Sequence, residues 1–73
     1  MNGYGTIEKI FRPLGIGIIK NKEGERIIFT APAVKKGADG FDNLTEGDEV
    51  HYKVFNEEVG NMKIARDVWP KAP

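Results

Sequence analysis

His51 is the side chain best suited to proton transfer or metal binding, and it is the only histidine among the 73 residues. The chain has no cysteine to share a metal site with it, and no serine nucleophile lies near it in a recognisable pattern. Carboxylates crowd one later segment without the spacing of a calcium loop: Asp39, Asp42, Glu46, Asp48 and Glu49. We therefore expect an exposed strand histidine and loop carboxylates. The sequence predicts no enzyme, no metal site and no cofactor.

Lysines and one aromatic ring point to a different chemistry, the binding of single-stranded nucleic acid. Lys35 and Lys36 open a segment that carries Phe41, and Lys9 and Lys20 lie in predicted strands. Such proteins stack bases on aromatic rings and contact phosphates with basic side chains. The alternative is an ordinary solvated surface, because carboxylates are interleaved with the lysines. A formal net charge of zero gives no general attraction to phosphate.

Strands must position these side chains, because no window of the chain sustains the apolar period of a helix. We predict one domain over residues 1–73, with residues 70–73 as a frayed tail. The strands are expected near residues 4–11, 15–20, 25–30, 50–55 and 62–69. Polar turns are expected at residues 21–24 and 56–61, and a mobile loop at residues 35–43. Five short strands with glycine-rich turns predict an all-β fold, a closed or nearly closed antiparallel barrel.

Alternation along the strands assigns their faces. In the second strand Ile16 and Ile18 share one face, opposite Gly17. Two isoleucines at positions 7 and 10 of the first strand break the alternation and predict a β-bulge. In the third strand the preferred register points Phe29 and Ile27 into the core. A shift by one residue would turn Phe29 outward instead.

The order and spacing of short motifs resemble the cold-shock domain, a five-stranded OB-fold barrel. The resemblance covers nearly the whole chain and rests on Gly5-x-Ile7-x-x-Ile10, Gly15-x-Gly17-x-Ile19, Asp39-Gly40-Phe41, Leu44-x-x-Gly47-x-x-Val50 and Ala65-x-x-Val68. It implies a five-stranded antiparallel OB-fold barrel that stacks bases on aromatic rings of one face. Most of those positions carry other residue types here, among them Lys9, Ile16, Ile18, Ile28 and Thr30. Phe41 keeps the family's ring, so the chain resembles a divergent member that lacks most stacking aromatics.

The function implied by the resemblance is weak, sequence-tolerant binding of single-stranded RNA or DNA, as in an RNA chaperone. In this hypothesis Phe41 stacks on a base, isoleucines make apolar base contacts and lysines contact phosphates. The residues expected to form the nucleic-acid-binding site are Lys9, Ile16, Ile18, Lys20, Ile28, Thr30, Lys35 and Phe41.

A hypothesis of another class treats the chain as a degenerate cold-shock domain. Here Ile16, Ile18 and Ile28 form an exposed aliphatic patch for a protein partner or for a homodimer. A third interpretation has a loop or tail that bears Phe41 or Trp69 fold over this patch. We expect neither a membrane nor a small-molecule substrate as a partner. The absence of a long apolar segment or leader predicts a cytoplasmic protein.

Overall fold

Five strands of alternating apolar and polar residues close into a barrel in the order β1-β2-β3-β5-β4. The structure is a computed structural model that describes residues 2–59 and 62–70, with only the backbone of Asn2, Ala38 and residues 55–59. Its elements are β1 (Asn2–Phe11), β2 (Ile16–Asn21), β3 (Arg26–Thr30), α1 (Gly37–Asp42), β4 (Glu49–Val59) and β5 (Met62–Pro70). Short 3-10 turns follow β1 at Arg12–Leu14 and β3 at Ala31–Ala33. The predicted five-stranded all-β barrel is confirmed.

The strand pairings of the described residues are antiparallel except for one. β3 and β5 run parallel, which aligns Ile27 with Lys63 and Ile28 with Ile64. An odd number of strands around a closed ring cannot all alternate in direction, so one pairing must be parallel. The predicted antiparallel arrangement therefore holds for the other pairs, β1 with β2, β2 with β3, β4 with β5 and β1 with β4.

The predicted bulge in β1 is confirmed. The register against β2 shifts between Ile7 and Lys9, so that Glu8 is the extra residue. A bulge bends its strand and increases the local twist. β1 can therefore pair with β4 through its first half and with β2 through its second half, which closes the barrel.

Phe29 lies at the centre of the core and is fully buried together with Ile27. The register that points Phe29 inward is therefore confirmed. A Cβ built on Gly17 would lie 2.2 Å from Cζ of Phe29. Real Cβ atoms do not approach other atoms so closely, so the missing side chain at position 17 makes room for the ring. The buried core residues are Ile7, Ile19, Ile27, Phe29, Val34, Phe41, Leu44, Val50, Tyr52, Val54, Ala65 and Val68.

The segment between β3 and β4 contains the helix α1, so the prediction of a loop without a helix was wrong. Lys36 and Gly37 have φ of 72° and 58°, and this left-handed backbone leads into the helix. Two glycines within six residues hide the helical signal in the sequence. A helix this short is stabilised mainly by packing, which Phe41 supplies by entering the core.

Arg12 joins the end of α1 to the turn after β1. Its guanidinium donates hydrogen bonds to the backbone carbonyl oxygens of Phe41, Asp42 and Leu44. Carbonyls at a helix C-terminus lack partners within the helix, and a cation near that end is favourable. The contact therefore fixes α1, and Phe41 with it, against the barrel.

Two predicted boundaries fall partly outside the described residues. β4 continues through the expected turn at residues 56–61 as far as Val59, and residues 60–61 lie outside the described part. Of the expected frayed tail at residues 70–73, Pro70 ends β5, and residues 71–73 again lie outside. Within the described residues, no helix is long and apolar enough to span a bilayer.

Candidate functional site

Ile16, Ile18, Ile28 and Ile64 form an apolar surface on the outside of the barrel, named here the isoleucine face. Ile18 pairs with Ile28, and Ile28 pairs with Ile64, across β2, β3 and β5. All four side chains are half-buried, and none belongs to the buried core. They point outward because the residues that alternate with them, such as Ile27, point inward. The structure therefore brings the three predicted isoleucines together and adds Ile64.

Two more predicted site residues border the isoleucine face. Lys9 pairs with Ile18, and Thr30 pairs with Ile16. Phe11 also pairs with Ile16, and its side chain is 42% exposed. The surface thus has an aliphatic centre with one ring at its border. Such a surface suits packing against other side chains better than stacking of bases, which uses ring faces.

The surface becomes charged one row further along the strands, where Lys20 pairs with Arg26. Arg26 Nε donates to Glu8 Oε1 at 2.7 Å, and Nη2 donates to Oε2 at 3.1 Å. This bidentate hydrogen-bonded pair lowers the pKa of Glu8 and raises the pKa of Arg26. Lys20, which was predicted to contact phosphate, therefore lies beside an ion pair whose positive and negative charges cancel.

Phe41 does not lie on this surface, and its predicted role in base stacking was wrong. Its side chain is 3% exposed and packs edge-on against Phe29, with ring centroids 6.2 Å apart and planes at 65°. A base has no access to a ring enclosed in the core. Because Phe41 points inward, it does not cover the isoleucine face either.

Lys35 lies apart from the other predicted lysines, beside Trp69. Its Nζ is 5.9 Å from the centroid of the indole ring, within the range of a cation–π contact. The ring contacts described for Trp69 are with Lys35 and His51, which do not belong to the isoleucine face. The predicted site thus divides: Lys9, Ile16, Ile18, Ile28 and Thr30 share one surface with Lys20 at its edge, whereas Lys35 and Phe41 lie elsewhere.

Tyr4, His51 and Trp69 stand side by side outside the barrel and are named here the aromatic ladder. Tyr4 pairs with His51 across β1 and β4, and His51 pairs with Trp69 across β4 and β5. The first two ring centroids are 4.8 Å apart with planes at 15°, and the last two are 4.9 Å apart with planes at 30°. His51 is half-buried between these rings, so the expected exposed histidine was wrong.

Sequence reasoning missed the aromatic ladder for a definite reason. Each ring occupies an outward position of its own strand, which alternation alone indicates. Their meeting depends on the register between β1 and β4, which lie far apart in sequence, and on the register between β4 and β5, which shifts along the pair. The sequence showed a ring in each of these three strands. It did not show the strand registers that align the three rings.

A cleft of about 940 Å³ lies beside Tyr4, where the start of β1 meets the turn between β2 and β3. Its walls include Tyr4, Thr6, Lys20, Lys22 and Glu49. Tyr4 is 60% exposed, the more exposed of the two described tyrosines. The cleft thus combines an accessible aromatic ring with two basic side chains and three carboxylates.

Asn21 fixes the turn that forms one wall of this cleft. Its Oδ1 accepts hydrogen bonds from the backbone N–H groups of Glu23 and Glu25, and its Nδ2 donates to the hydroxyl of Tyr52 at 3.3 Å. Asn21 Nδ2 also donates to the Glu25 carboxylate, and Lys63 lies 3.5 Å from that carboxylate. These two contacts lower the pKa of Glu25. The wall is therefore held by hydrogen bonds before any ligand binds.

The fold places this chain in a structural class, the small five-stranded OB-fold-like barrels. One similar solved structure is a variant of CusF from Escherichia coli with Cu(II), with a TM-score of 0.60 and 14% identity, covering 99% of this chain and 91% of that chain. Another is the Ag(I) form of CusF, with a TM-score of 0.59 and 16% identity, covering 97% of this chain and 96% of that chain. Neither a protein-family model nor a curated protein matches the chain. The comparisons therefore support an OB-fold barrel, but not membership of the cold-shock family.

Proposed function

We propose that this protein is a protein-interaction module whose isoleucine face binds the same face of a second copy. The observation that supports this proposal is the aligned outward row of Ile18, Ile28 and Ile64 across three strands. Contiguous apolar patches on the outside of soluble domains commonly mark contact surfaces. Leu14, in the turn that leads to Ile16, is a further aliphatic side chain that is 71% exposed.

The charges of the molecule favour a second copy as the partner. The formal net charge is zero and the pI is about 6.6, so two copies do not repel each other at neutral pH. The row next to the isoleucine face carries Arg26, which is already paired with Glu8. Beside this pair, Lys9 and Lys20 border the face, so the charges there would not favour a basic partner and would favour an acidic partner through two lysines.

A twofold arrangement also suits the shape of the isoleucine face. In an isologous dimer the same patch contacts itself, so an uncharged centre avoids placing like charges together. Outward side chains of two sheets can interdigitate when the sheets pack face to face. Branched isoleucine side chains on neighbouring strands give the ridges that such packing uses.

Single-stranded nucleic acid remains a second candidate for the same face. Lys9 and Lys20 lie near Ile18 and could contact phosphates while the isoleucines contact bases. Burial of Phe41 weakens this candidate, because an aromatic stack contributes roughly 1–3 kcal/mol for each base and isoleucine has no ring to stack. The resemblance to the cold-shock domain supports it, whereas the similar CusF structures support the barrel fold alone.

Metal binding, which the CusF structures display, is not well supported by the side chains of this chain. The sequence has one histidine, two methionines and no cysteine. The described residues contain no cluster of three or more histidine, cysteine, aspartate or glutamate side chains. Soft metal ions select thiolate and thioether ligands. We therefore do not extend the copper and silver of those neighbours to this protein.

Analytical ultracentrifugation over a wide concentration range tests the proposed dimer. We expect a monomer–dimer equilibrium for the wild-type chain and a monomer for Ile18→Glu, because the acid would be buried in the contact. Tyr4→Glu is the matched control: it adds the same charge at an exposed position outside the isoleucine face, and should dimerise like the wild type. Circular dichroism of both variants checks that the barrel is retained.

Two results would overturn the proposal. One is a wild-type chain that stays monomeric at millimolar concentration. The other is equal loss of dimer in both variants, which would place the contact elsewhere. An amide NMR titration with short oligo-U at low salt then tests the second candidate. Shifts confined to β2 and β3 that weaken as salt rises would assign the face to nucleic acid.

A further inference from the structure

The two ends of the aromatic ladder differ in their surroundings. At one end the ammonium group of Lys35 lies over Trp69. In the middle, His51 has Tyr4 on one side and Trp69 on the other. At the other end Tyr4 is 60% exposed and contacts a ring on its His51 side. The ladder therefore has an accessible ring at the Tyr4 end.

The open side of the Tyr4 ring faces the cleft. β1 lies between β4 and β2 in the barrel. Because His51 of β4 covers one side of the Tyr4 ring, the other side of that ring faces β2 and the turn that follows β2. That is the direction in which the cleft lies, with Lys20 and Lys22 on its walls. A flat group that enters there would extend the stack by one ring.

The cleft carries charges of both signs. Among the described residues, Lys20 and Lys22 have no salt-bridge partner within 4.0 Å. Glu23, Glu25 and Glu49 lie on the walls as well, so bare phosphate gains little there. The Glu25 carboxylate is already held by Asn21 and Lys63. Carboxylates accept hydrogen bonds from hydroxyl and amino groups, which a sugar and a base supply. The volume of about 940 Å³ lies within the range of small-ligand sites.

We propose that this cleft binds the base–sugar–phosphate unit of a nucleotide. The base stacks on the open side of Tyr4 and so continues the aromatic ladder. Lys20 and Lys22 contact the phosphate, and the wall carboxylates accept hydrogen bonds from the ribose or the base. Apart from Lys20, which lies at the edge of the isoleucine face, this site is separate from that face, and it does not depend on whether the chain dimerises. The unit has two possible sources, a free nucleotide or one nucleotide of a single strand.

Amide NMR titration with adenosine monophosphate tests the site directly. We expect saturable shifts in residues 3–6 and 20–24 and weaker binding as salt rises. Ribose 5-phosphate, which lacks the base, should bind more weakly than the nucleotide. Tyr4→Ala should weaken the binding of adenosine monophosphate roughly 5- to 150-fold, the range expected for one lost stack. Tyr4→Phe keeps the ring and should bind like the wild type.

Further variants and probes decide between the outcomes. Lys22→Ala should weaken nucleotide binding, whereas Leu14→Ala, an exposed change outside the cleft, should not. Oligo-U that binds more tightly than uridine monophosphate, with shifts beyond the cleft, would identify a single strand as the source. Equal or weaker binding of the oligomer would identify a free nucleotide. Absence of shifts at millimolar nucleotide, or affinity unchanged in Tyr4→Ala, would overturn the proposal.

Discussion

Phe41 packs edge-on against Phe29 in the core, with ring centroids 6.2 Å apart. This contact weakens the nucleic-acid hypothesis for the outer surface, because Phe41 was the ring that this hypothesis needed for base stacking. The same contact explains why α1 exists, since the helix places Phe41 where it closes the barrel beside Leu44. The residue that most resembled a ligand contact is therefore a core residue.

Replacement of Phe41 by alanine should destabilise the fold. Loss of a buried phenylalanine removes apolar contacts and leaves a cavity, which costs about 3–5 kcal/mol. Urea unfolding followed by circular dichroism measures this change. Leu14→Ala, at a position that is 71% exposed, should change the free energy of unfolding by less than about 0.5 kcal/mol. Similar stabilities for the two variants would contradict the burial of Phe41.

Gly17→Ala should also destabilise the barrel, by about 1–3 kcal/mol. The new Cβ would meet the ring of Phe29 at 2.2 Å, and the core must shift to admit it. Adding Phe29→Leu to Gly17→Ala should recover part of the loss relative to the sum of the single changes, because the smaller side chain makes room. Thermal unfolding of the four chains in this double-mutant cycle gives the coupling energy. Strict additivity would show that position 17 and Phe29 do not compete for space.

Arg12→Ala should destabilise the protein by roughly 1–2 kcal/mol, because three carbonyl oxygens near the end of α1 lose a charged donor. Arg12→Lys keeps the charge but cannot reproduce the branched geometry of the guanidinium. We expect it to recover less than half of the loss in a urea titration. Full recovery by lysine would mean that charge alone, and not the hydrogen bonds, fixes α1.

The Glu8–Arg26 pair should make stability depend on acid pH. The hydrogen bonds from Arg26 lower the pKa of Glu8 in the folded state below its ordinary value of 4.5. The stabilising contribution is therefore fully present above the unfolded pKa and is lost as pH falls through the folded pKa. Because Glu8 is solvent-accessible, we expect this contribution to be small.

Glu8→Gln isolates this effect from other carboxylates, such as Glu25, whose pKa is also lowered. The difference in unfolding free energy between the wild type and Glu8→Gln should be largest near neutral pH and should vanish in strong acid. Chemical unfolding at a series of pH values measures that difference. A difference that stays constant across the series would show that Arg26 does not hold the ionised carboxylate.

The strands and their faces were largely predictable from the sequence. Ile16, Ile18 and Gly17 alternate in β2 as their order indicates, and the isoleucines at positions 7 and 10 correctly predicted the bulge. Alternation works here because side chains of a strand point to opposite faces with a period of two. Phe29 had two possible registers, and the structure confirmed the inward one.

The candidate sites were less predictable, because they depend on contacts between distant segments. α1 carries two glycines and has weak helical propensity, so packing of Phe41 and the hydrogen bonds from Arg12 override the local signal. The aromatic ladder needs the register between β1, β4 and β5. The cleft beside Tyr4 needs that register together with the turn that Asn21 holds.

The sequence by itself determined a small all-β barrel, the inward and outward positions of its strands, and a shared face for Ile16 and Ile18. Tertiary structure decided that Phe41 is buried, that Ile64 joins the isoleucine face, and that Tyr4 ends a stack beside a cleft. The physical reason is the range of the interactions. Alternation and turn formation act between neighbours in the chain, whereas barrel closure sets registers between strands that the chain order leaves open.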